Sequence, residues 1–109
     1  MASQPPTTAT GVISRPGLDC ISAVFAIGNQ TYTLTAQTAV PVPDFRSYNA
    51  LLRYNDESEL RDGERLFEGT VGPSEFLFNV DRGAAITGRL DGTVLPAVSV
   101  AGTCSWSTS

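Results

Sequence analysis

The chain contains no histidine, and its seven basic residues are all arginine, at positions 15, 46, 53, 61, 65, 82 and 89. Without imidazole or a primary-amine side chain it has no Ser–His or Cys–His dyad, no Schiff-base lysine and no P-loop lysine. Histidine metal sites are excluded for the same reason. Carboxylates, tyrosines and unassisted thiols are what remain. The reading is therefore not an enzyme, with no metal and no cofactor. Charge of either sign is sparse, at 17% of residues, and the net charge is −4. The arginines are scattered and interleaved with acids, whereas a phosphate backbone needs a clustered basic face. Nucleic acid and anionic membrane are accordingly not expected as partners. No apolar run approaches the roughly 20 residues of a membrane helix; the longest strongly apolar run is residues 23–27, AVFAI. The opening MASQPPTTATG has neither a basic nor an apolar leader region, so it does not read as a signal peptide.

Cysteine is also rare, with only Cys20 and Cys104. Their wide separation excludes CxxC redox chemistry and a Cys-rich zinc site. Two buried free thiols are one reading. A Cys20–Cys104 disulfide is the favoured one. It would join the first clear strand to the last and contribute about 4–5 kcal/mol in the chain-entropy model. A paired state points to an extracellular or virion location.

What is abundant is Thr, Ser, Gly and Ala, a composition that suits strands and tight turns better than helices. Residues 1–10, rich in Pro and Thr, read as a flexible N-terminal arm, and residues 11–109 as a single β domain. GVIS at 11–14 reads as a short edge strand before an Arg15-Pro16-Gly17 turn. The clearest element is a hairpin: Ile21, Ala23, Phe25 and Ile27, then Gly28-Asn29, then Tyr32, Leu34 and Ala36, all with a period of two. Thr31, Thr33 and Thr35 then face outward. VPVPD at 40–44 is a connection, because proline cannot donate to a central ladder. FRSYNALLRY reads as a strand, with Tyr48, Ala50, Leu52 and Tyr54 on one face, in preference to a helix capped by Asp44. Beyond it, short β-like runs are separated by Gly72-Pro73-Ser74, Asp81-Arg82-Gly83 and Asp91-Gly92, the last a tight-hairpin signal. No internal repeat is visible.

This pattern predicts an all-β fold, an antiparallel sandwich or small barrel of seven to eight short strands. An immunoglobulin-type domain is not indicated: Trp106 lies after Cys104 instead of between the cysteines, and Gly102 occupies the place of the expected tyrosine. The expected core is Ile21, Ala23, Phe25, Ile27, Tyr32, Leu34, Leu52, Phe67, Phe76, Phe78, Ile86, Leu90, Leu95 and Val98.

Residues 55–65, NDESELRDGER, are the densest run of charge. They do not form an EF-hand loop. With Gly63 at the sixth position, Leu60 and Gly69 occupy ligand positions. The run reads as a solvated connection of one or two helical turns, capped by Asn55 and ended by Gly63.

The expected function is a non-catalytic structural or interaction module acting through protein–protein contacts. It would be a self-assembling homo-oligomeric subunit of a virion, of capsid or decoration type, or of another extracellular assembly. Contact would run through a strand edge or the N-terminal arm. The alternative is a small lectin-like module binding a glycan or other ligand through Trp106, Tyr32, Tyr48 and Tyr54.

Overall fold

The computed structural model describes residues 7–55, 57–60, 63–81 and 83–108. Eight strands run through them: β1 Thr7–Gly17, β2 Cys20–Ile27, β3 Gln30–Thr38, β4 Arg46–Tyr54, β5 Glu64–Val71, β6 Glu75–Val80, β7 Ala84–Arg89 and β8 Val98–Thr108. A short 3-10 helix, Glu57–Leu60, joins β4 to β5. All pairings are antiparallel, and the strands close into a barrel in the order β1-β2-β3-β8-β5-β6-β7-β4, with β4 returning to β1. Of the two expected all-β architectures, the barrel is the one adopted.

The order contains two Greek keys in succession, β4-β1-β2-β3 and β8-β5-β6-β7. Each key closes on the other, β3 against β8 and β7 against β4. The likeness extends to detail. Gly11 pairs with Phe25 in the first key, and Gly69 pairs with Phe78 in the second. In each key the loop from the third strand to the fourth is tied to the first hairpin turn by a valine amide. Val42 N–H donates to the Leu18 carbonyl, and Val94 N–H donates to the Pro73 carbonyl. The repeat lies in connectivity and in a few packing positions, which is why the residue order does not display it.

Alternation builds the interior. In β2 and β3 every second residue is buried, from Ile21, Ala23 and Phe25 across to Tyr32, Leu34 and Ala36. Their register runs unbroken from Cys20–Gln37 to Ile27–Gln30 around the expected Gly28-Asn29 turn, where Gly28 has φ +61°. Phe67 and Phe78 meet edge to face at 5.9 Å, and Phe45 and Phe76 complete an aromatic group beside them. Val42, Phe45, Leu90 and Val94 close the end where the two crossing loops run. Leu60, fully buried, enters from the 3-10 helix.

Five expectations need correction. GVIS is no edge strand: β1 extends from Thr7 and pairs with both β2 and β4. Residues 7–10, read as part of the arm, already pair with residues 51–54 of β4; residues 1–6 lie outside the described residues. Asp91-Gly92 is not a tight hairpin, because β8 lies between β3 and β5 and residues 90–97 form the crossing loop. Within that loop Val94 is turned inward, leaving Leu95, an expected core residue, 74% exposed. The strand reading of FRSYNALLRY holds over Arg46–Tyr54, but Tyr48 leaves the face it was placed on. Gly11 and Ile13 of β1 face Ala50 and Ser47 of β4, so β4 carries one extra residue there. That bulge turns Tyr48 out while Ser47 and Ala50 stay in.

Candidate interaction surface

The aromatic side chains considered as a stacking site do not share a face. Trp106 is 2% exposed and packs inside the barrel on Phe25, with ring centroids 6.4 Å apart. Its indole Nε1 is buried and finds no hydrogen-bond partner among the described residues. Tyr32 and Tyr54 are also buried, and the Tyr32 hydroxyl donates to Gln30 Oε1 at 3.0 Å. Tyr48 alone is exposed, with the Arg46 guanidinium donating to its hydroxyl at 3.1 Å and lying 6.0 Å from its ring centroid. Alternation explains the difference. Trp106 shares parity with Val100 and Cys104 on β8, and that parity points inward.

The cysteines are free thiols, so the expected disulfide is corrected. Cys20 pairs with Gln37 and Cys104 with Ala36, so β3 stands between them. Two strand spacings put their Cα atoms about 10 Å apart, beyond the ~7 Å a disulfide spans. Gln37 and Ala36 are neighbours on β3, so the thiols also face opposite sides of the wall. Cys104 points inward, and burial pushes its thiol up to about 11, an effect that nearby Arg65 partly offsets. A thiol so held is a poor nucleophile at neutral pH.

The charged run is a connection, as expected. Its 3-10 helix is anchored by the Asn55 backbone N–H donating to Glu59 Oε1 at 3.0 Å. Gly63 takes φ +135°, a value that glycine accommodates. Asp56, Arg61 and Asp62 lie outside the described residues. Among the described residues no group of three or more Cys, Asp or Glu is placed to hold a metal ion.

The outer wall carries the remaining chemistry, and it is divided by strand. β2, β3 and β8 bear no formal charge; their outward positions are mainly Ser and Thr, with Thr33 and Thr35 facing Ser107 and Ser105. The acids lie on β5 and β6 as Glu64, Glu68 and Glu75. The exposed arginines of the strands lie on β4 and β7 as Arg46, Arg53 and Arg89, while Arg15 on β1 is half-buried and Arg65 on β5 is buried. Where the neutral and acidic sectors meet, a groove of about 680 Å³ is lined by Ala39, Leu66, Glu68, Asn79, Asp81 and Ala101. Leu66 is 62% exposed between Glu64 and Glu68, and Leu77 on β6 is 40% exposed. Sequence reasoning did not single out this wall. The signal was present in ERLFEGTV, where burying Arg65 and Phe67 forces Leu66 and Glu68 outward.

No family model matches the chain, and comparison with curated proteins and with solved structures found no significant match.

Proposed function

We propose that the chain is a non-catalytic structural module that assembles with further copies of itself through the outer wall of the barrel. One observation carries this reading: among the large apolar side chains that the filled barrel leaves in water, Leu66 and Leu77 stand beside the carboxylates of Glu64, Glu68 and Glu75 on one sector of its wall. Such a mixture of apolar and charged groups is a protein-contact chemistry. The route differs from the one first expected. A closed barrel has no free strand edge to pair with a neighbour, so contact through a strand edge is replaced by contact through the wall. With the thiols apart, nothing in the fold calls for an oxidising compartment, and the proposal is assembly itself rather than assembly within a virion.

Light scattering of the full chain from micromolar to millimolar concentration tests the reading. Mass should rise with concentration, and Leu66→Asp should shift that rise to higher concentration while leaving the circular dichroism spectrum unchanged. A mass that stays at one chain throughout would overturn it.

A further inference from the structure

The charges on the outer wall are arranged in register rows, and the rows share a symmetry. Across β5, β6, β7 and β4, one row reads Glu68, Asn79, Ala85, Arg53. The next outward row reads Thr70, Leu77, Thr87, Leu51. Glu75 on β6 and Arg89 on β7 face each other in the row beyond. Each charged row is thus acidic on one side of the β6–β7 seam and basic on the other, at matching distances from it. Between the charges lie small or neutral side chains, with Leu77 and Thr87 at the seam. The four charged residues are all exposed. Glu68 and Arg53 stand three strand spacings apart, about 14 Å, too far to pair within one copy.

A surface whose charge changes sign across a line is complementary to itself under a two-fold rotation about that line. Resting on the reading that the chain self-assembles, we propose that two copies dock through this wall. The dyad would run along the β6–β7 seam, parallel to the strands. In that arrangement Glu68 of each copy meets Arg53 of the other, and Glu75 meets Arg89. Leu77 is covered by Thr87, and Asn79 by Ala85, so the charges next to the seam are Glu75 and Arg89, in the row at one end of the contact. The other face-to-face dyad, perpendicular to the strands, sets Glu68 and Glu75 against acids and Arg53 and Arg89 against arginines. Charge therefore selects one dyad of the two. The neutral Ser/Thr sector over β2, β3 and β8 offers no such discrimination, because it has no charge to set a register.

The test is a charge-reversal set followed by sedimentation velocity: the full chain, Glu68→Arg, Arg53→Glu, the double variant, and an equimolar mixture of the two single variants. Each single reversal opposes like charges twice in the dimer and should weaken association at least about tenfold. The double variant restores both contacts. The mixture restores them as well, because one chain of each kind forms two opposite-charge pairs. All four side chains are exposed, so thermal melting of the variants should match that of the parent. Association of the parent with single variants that associate equally well would overturn this dyad and leave self-assembly standing. A parent that remains one chain at every concentration would remove both.

Discussion

At the scale of single residues, the positions that matter most are where strands come closest. A Cβ at Gly69 would lie 1.8 Å from the Leu77 carbonyl oxygen, and one at Gly11 would lie 2.0 Å from that of Val24. Neither neighbour is a flexible side-chain tip, so backbone must move. Gly11→Ala and Gly69→Ala should each cost about 3 kcal/mol or more in urea denaturation, at the upper end of overpacking penalties. Trp106 is the largest interior side chain, and Trp106→Ala should cost about 3–5 kcal/mol. Trp106→Phe should cost less than half of that, since it keeps most of the ring and removes a buried N–H without a partner. The same burial predicts blue-shifted emission from the single tryptophan and no quenching by sugars.

Cys104 gives a pH dependence whose sign is fixed. Its folded pKa, about 11, lies above the ordinary thiol value of 9.0, so the neutral form is favoured by the fold. Stability from this group is complete below pH 9 and declines as pH rises from about 9 towards about 11. Cys104→Ala should flatten that decline in pH-dependent melting. In a thiol titration of the native chain at pH 8, half-exposed Cys20 should react first and Cys104 only on unfolding.

At the scale of elements, the hairpins were legible and the crossings were not. Gly28-Asn29 announces its turn because the two strands it joins also pair. Asp91-Gly92 carries a similar local signal, yet β7 and β8 do not pair. The turn signal records a bend, while pairing is decided by which faces complete the barrel. GVIS by itself reads as a short edge because only four residues show strand character and the Pro/Thr segment before it looks unstructured. It is nonetheless paired on both sides. A chain beginning at Gly11 should therefore melt lower than one beginning at Thr7, since it lacks the pairing of residues 7–10 with β4. Equal melting temperatures would show that pairing to contribute nothing. Tyr48 was misplaced by the bulge in β4, an extra residue that strict alternation has no means of revealing.

For the whole molecule, the two keys share a barrel and cannot separate without breaking the β3–β8 and β7–β4 seams. Unfolding should thus be a single transition in which Trp106 fluorescence and far-ultraviolet dichroism coincide. Two resolved transitions would show the keys to be separate folding units. The candidate surface also belongs to this scale. Glu68 and Arg53 are distant in the chain and become one row only because four strands lie side by side in a particular register.

What the residues determine alone is the period-two pattern, the turn chemistry and the absence of imidazole and primary amines. From these follow an all-β chain and the exclusion of chemistry that needs a histidine or lysine side chain. The closure of the barrel, the separation of the two thiols by β3, the inward turn of Trp106 and the antisymmetric charges on the wall were decided by tertiary structure. The physical reason is that alternation says which residues share a face of a strand, but not which strand lies beside it. Neighbour and register are settled by filling one common interior.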